Sequence, residues 1–147
     1  MQTAILKQLY LFEVANLQRE IELYTSDEKL WLIDGQIKNS GGNLCYHLIG
    51  SMNHFIGATL LHTGYVRNRD AEFVVKDIST ADLLKLIEDL IVLLNKAFTE
   101  LTDDDLNKTF PYDFMGTNTT GFYLTRFLCH LSYHLGQVNY HRRLLDI

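Results

Sequence analysis

Two imidazoles stand one helical turn apart in His130-Leu131-Ser132-Tyr133-His134-Leu135-Gly136-Gln137, inside an otherwise apolar segment near the end of the chain. On an α-helix, positions i and i+4 project from the same face, close enough to bind one ion. Neutral imidazole is the commonest metal ligand near neutral pH, so the pair can chelate a divalent metal, and a third ligand must then come from elsewhere. No Glu follows His130, so the built-in base of the HExxH metalloprotease pattern is missing.

Four other histidines compete for the third position. His141 lies seven residues after His134, about 10.5 Å along the axis, and cannot share an ion with the pair. It is expected to form a salt-bridged or capping end with Arg142, Arg143 and Asp146. His47 and His54 are also seven apart on one face, so at most one of them can join, and His62 falls near a helix end; position alone does not choose. Cys129 is rotated about 100° from His130 and Cys45 about 200° from His47, so both are expected to pack as small apolar residues. Gln137 falls on the metal-facing side, where it either bonds a bound water, a substrate or a group behind the metal, or makes an ordinary interhelical hydrogen bond. Tyr46 and Tyr133 flank the histidines as phenolic donors or as wall residues. Arg67, Arg69, Asp70 and Glu72 read either as a solvated charge cluster that pins a connection or as an anion-binding rim.

Four helices are predicted to position these groups. From Thr3 to about Tyr24, Ile5, Leu9, Phe12, Leu17 and Ile21 recur at helical spacing. Thr25 to Gly35 breaks the period, but Leu30, Trp31, Leu32 and Ile33 are apolar enough to fold back onto the bundle end. Asn39-Ser40-Gly41-Gly42-Asn43 then offers turn glycines and an N-cap before a second helix, marked by Leu44, Leu48, Phe55 and Leu61, that runs to about His62. Thr63 to Ser79 reads as a connection long enough to be a crossover. Ser79 with Asp82 resembles a capping box opening a third helix through Leu83, Ile87, Leu90, Leu94 and Leu101. An acidic turn at Asp103-Asp104-Asp105 and the only proline, Pro111, separate it from a fourth helix, about Thr120 through Phe127, Leu131, Leu135 and Val138 to Leu144. The fold class is all-α, a four-helix bundle with a long crossover between helices 2 and 3.

Composition narrows the partners. The 147 residues fit a single domain, 1–147, that buries one substantial core. A net charge of -5 argues against a nucleic-acid backbone, because counterion release needs a cationic surface. Two cysteines are too few for a disulfide framework and point to a reducing compartment. No stretch is apolar for long enough to span a bilayer and no leader pattern is present, so a cytoplasmic protein with no membrane partner is expected.

The helix order, Asn43-Leu44-Cys45-Tyr46-His47-Leu48 early in the second helix, and His130-x-x-x-His134-x-Gly136-Gln137 in the fourth resemble the DinB-like superfamily over nearly the whole chain. Asn39-Ser40-x-Gly42-Asn43 and Arg67-x-Arg69-Asp70-Ala71-Glu72-Phe73 are similar to one branch of it. The resemblance implies an up-down-down-up bundle, frequent homodimerisation and a metal site on His47, His130 and His134, with His54 outside the ligand set. Characterised relatives include transferases and isomerases that use bacillithiol or mycothiol.

Two classes of function follow. In an enzyme, three neutral imidazoles leave a divalent ion its full charge and an open position, fitting attack by a low-molecular-weight thiol, as cosubstrate, on a small electrophile. Hydrolysis competes, weakened by the absence of an obvious Glu or Asp beside the pair. Zinc, nickel and iron are not separated by ligand type. In the second class the cluster only braces helices two and four, and the bundle surface binds a protein partner.

Overall fold

Leu6, Tyr10, Val14, Leu17 and Ile21 recur every three or four residues and form the buried face of α1 (Gln2–Glu22). The computed structural model describes residues 1–147 and contains helices but no β-strand. Helix α2 (Asp27–Leu30) is a single turn that buries Leu30. Helix α3 (Gly41–Met52) starts on Ser40, whose hydroxyl accepts from the Asn43 amide, and continues as a π-helical turn over Asn53–Ala58. Helix α4 (Arg69–Val74) is short, α5 (Thr80–Glu100) buries Leu83, Ile87, Leu90 and Leu94, α6 (Asp103–Leu106) is one turn, and α7 (Thr120–Leu145) is the longest.

The four long helices form the bundle, and their directions follow from the contacts between them. Tyr10 donates to the Leu124 carbonyl and Tyr24 meets His141, so α1 and α7 run parallel. Lys7 reaches Thr99 and the N-terminal ammonium pairs with Asp103, so α5 runs opposite to α1. His47 meets His130 while Gly41 lies against His141, so α3 runs opposite to α7. The order is up-down-down-up, with the crossover joining the parallel α3 and α5. Twenty-seven buried apolar residues make one core, each large side chain contributing about 1.5–3 kcal/mol on burial.

Several expectations are corrected. The face read on α1 is mixed: Leu17 and Ile21 are buried, but Ile5, Leu9 and Phe12 form a second, exposed stripe. The helix is apolar on two sides, and both sets satisfy a period of 3.6. Asp103-Asp104-Asp105 is not a bare turn but α6, closed by a reciprocal capping box between Thr102 and Asp105. At Ser79 only the hydroxyl half of such a box forms, accepting from the Asp82 amide. Leu30 and Trp31 fold back as expected, Trp31 donating to the Ile78 carbonyl, while Leu32 and Ile33 stay exposed, as does Leu144. The second helix ends near Leu61, where His62 takes a left-handed φ of 53°.

Candidate metal centre

His47 sits on α3 one turn after Asn43, and Asn43 is doubly fixed. Its Oδ1 accepts from the Ser40 hydroxyl, and its amide donates to the carbonyls of Glu72 and Val75 at 3.1 and 2.8 Å. The start of α3 is thereby tied to α4, which belongs to the segment expected to be a plain connection. His130 and His134 project from α7 toward His47. The three rings have centroids 4.5–5.2 Å apart and planes crossing at 76–89°, so their edges converge rather than stack. Their donor nitrogens lie within 4.8 Å of one another, with His47 Nε2 only 3.1 Å from His130 Nε2.

The surroundings of His47 and His130 favour the neutral, ligating form of those two rings. Burial, with the neighbouring His134, His47, Arg67 and Arg126 charges, pushes the His130 pKa down to about 4. Burial also lowers the His47 pKa, against the hydrogen bond and charge of Glu72, which raise it. His47 Nδ1–H donates to Glu72 Oε1 at 2.9 Å, which leaves its Nε2 lone pair facing the cluster. His134 Nδ1–H donates likewise to Gln137 Oε1 at 2.5 Å. Such acceptors behind a ligating histidine fix its tautomer and raise its basicity, so this donor set fits a divalent metal. Gln137 acts within its own helix and makes no interhelical bond.

Glu72 is the residue that sequence reasoning misplaced. It is 2% exposed, not part of a solvated cluster, and takes a two-point ion pair from Arg67, Nε to Oε2 at 2.9 Å and Nη2 to Oε1 at 2.8 Å. Arg67 Nη2 also lies 3.3 Å from His47 Nδ1, a donor–donor approach offset by the carboxylate between them. The carboxylate fits only because residue 50 is Gly: an added Cβ there would overlap it.

The other candidates fall outside. His54 meets the Tyr112 hydroxyl at 3.3 Å and leaves its buried Nδ1 without a partner. His141 is no helix-end ion pair; it is buried, accepting from Tyr24 at 2.7 Å and donating to the Leu32 carbonyl at 2.8 Å, while Arg142 pairs with Glu20. Cys45 packs in the core, but Cys129 is exposed. Tyr133 is 66% exposed and stands beside His134 outside the main cavity, and Tyr46 packs against the core.

The imidazoles open onto a cavity of about 550 Å³, walled by Ser51, Phe55, Phe73, Phe114, Met115 and Phe127. Phe55 and Phe127 stack at 4.5 Å. Arg126, four residues before His130 on the same helix face, also lines it; the i−4 spacing was visible in the sequence, but nothing there set this arginine apart from an ordinary surface residue.

Residues 11–146 match the family described as protein of unknown function (DUF1572). The chain belongs to that family. Its fold is DinB-like: the DUF1572 chain superposes on the crystal structure of a DinB-like protein from Bacillus cereus ATCC 10987 with a TM-score of 0.73, covering 94% of this chain and 89% of that one at 18% identity. No curated protein matches it. No helix of the DUF1572 chain is long and apolar enough to cross a membrane.

Proposed function

We propose that this protein is a metal-dependent S-transferase, in which His47, His130 and His134 hold a divalent ion and the adjoining cavity admits a low-molecular-weight thiol and a small electrophile. The observation that carries the reading is the convergence of three imidazoles on a substrate-sized cavity with no free carboxylate in its wall. A zinc, nickel or iron ion held by three neutral ligands keeps its full charge and, when bound, lowers the pKa of a thiol brought to it. Glu72 and Gln137 orient the imidazoles of His47 and His134, while Phe55 and Phe127 give the cavity an apolar wall. In the transfer the thiol gives its proton to solvent, the sulfur lone pair forms the new C–S bond, and the leaving group departs with its bonding pair. Hydrolysis by a metal-bound water, which ionises near neutral pH without a side-chain base, is the competing reaction, and a free carboxylate placed to steer that water would strengthen it. The carboxylate behind His47, Glu72, is already committed to Arg67 and His47, which supports sulfur over water as the nucleophile. A metal that only braced two helices would not need a cavity beside it.

Metal analysis of the purified protein tests the ligands: about one ion per chain is expected, and none in the His130→Ala, His134→Ala double variant with helicity retained. Full metal retention in that variant sinks the site. Calorimetry of loaded protein with candidate thiols, in buffers of different ionisation enthalpy, should report proton release on binding. Absence of thiol binding, proton release and transfer to electrophiles would discard the reaction. We also propose that the chain forms a homodimer, supported by the exposed apolar stripe of α1.

A further inference from the structure

The cavity beside the imidazoles carries a charge opposite to that of the whole chain. The protein has 18 acidic residues against 13 Lys and Arg, yet the cavity wall contains Arg67, Arg69 and Arg126 and no acidic side chain. Arg67 is neutralised by its two-point pairing with Glu72. Arg69 and Arg126 form no ion pair with any carboxylate of the chain. Arg69 is held over the Phe73 ring, 5.5 Å from its centroid, and Arg126 stands one turn from His130. Both are solvent-exposed, which puts them at the mouth, while Phe55 and Phe127 form a stacked apolar wall.

We infer that this cavity binds small molecules in which a carboxylate is joined to an aromatic or other apolar body, the carboxylate meeting Arg69 and Arg126 and the body lying against Phe55, Phe114 and Phe127. A guanidinium presents a planar fork that matches a carboxylate, and its bonds to one are about twice as strong as neutral hydrogen bonds. A neutral ligand of the same shape fills the apolar wall but leaves both cations unmatched. The inference deepens the proposed function by naming the class of substrate, and it rests on that reading only for the reaction that follows binding.

The test is a titration of metal-free and metal-loaded protein with 3-phenylpropionate and 3-phenylpropionamide, which share a body and differ in charge. The carboxylate should bind roughly tenfold tighter or better, the value of a charged hydrogen bond. Arg69→Gln and Arg126→Gln should each weaken the carboxylate several-fold and leave the amide unchanged. The double variant should show no preference, and Arg19→Gln on α1 should behave as wild type. Since neither cavity arginine supports another side chain by an ion pair, these variants should melt as the wild type does. Equal affinity for acid and amide overturns the inference, as does no binding of either in the millimolar range. So does a preference that survives the double variant, including one seen only with metal, which would mean the carboxylate binds the ion itself. An arginine-dependent preference without thiol transfer would keep the anion site and discard the transferase.

Discussion

His47 depends on a chain of single residues: Arg67 grips Glu72, Glu72 accepts from Nδ1, and Gly50 leaves the room for it. A carboxylate behind a ligating histidine typically contributes 10- to 100-fold, roughly, to metal affinity. Glu72→Gln keeps the volume and one acceptor oxygen but removes the charge that balances Arg67. We therefore expect metal affinity, measured by chelator competition, to fall by about that factor, with a loss of stability of about 1–3 kcal/mol from the unmatched buried cation. Unchanged affinity would mean that His47 is oriented by packing alone. The histidine pair was legible in the sequence because i and i+4 share a helix face whatever surrounds them. Glu72 was not, because its burial is set by a glycine 22 positions earlier and by a helix too short to show a period.

At the scale of elements, the four long helices were readable because each repeats apolar residues over at least three turns. The short ones were not: α4 is six residues and α6 four, and their place comes from caps and from contacts with α3 and α7. His141 shows the same limit. Its surroundings are built by Tyr24, just after α1, and Leu32, just after α2, neither of them near it in sequence. Burial lowers its pKa, against the Leu32 carbonyl and Asp146, which raise it. A lowered pKa means that the unfolded chain takes up the proton first as pH falls. The stability that the neutral ring contributes is thus complete above its unfolded pKa of about 6.5 and is lost progressively as pH falls below it toward the folded value, by up to about 1.4 kcal/mol per pH unit. His47, His54 and His130 are shifted in the same direction and add to the slope in metal-free protein. Urea midpoints between about pH 7 and pH 5 should fall, and His141→Gln should flatten the curve. A flat wild-type curve would contradict neutral burial.

At the scale of the molecule, the second stripe of α1 needs an explanation that the monomer does not supply. Ile5, Leu9 and Phe12 are 52%, 44% and 64% exposed, and Phe122 of the neighbouring, parallel α7 is also exposed. Contiguous exposed apolar surface favours association, and a twofold pairing of the same face on two copies is the commonest way to bury it. The proposed dimer would therefore pair these α1–α7 faces. Sedimentation at micromolar concentration should give twice the 17.0 kDa chain mass, and a Leu9→Lys, Phe12→Glu variant should sediment as a monomer. A strictly monomeric wild type removes the proposal. No α1 residue lines the cavity, and the imidazoles come from α3 and α7. The monomeric variant should accordingly keep its metal and its preference for the carboxylate probe. Joint loss of dimer and metal would instead mean that the interface holds α7 in the position from which His130 and His134 reach His47.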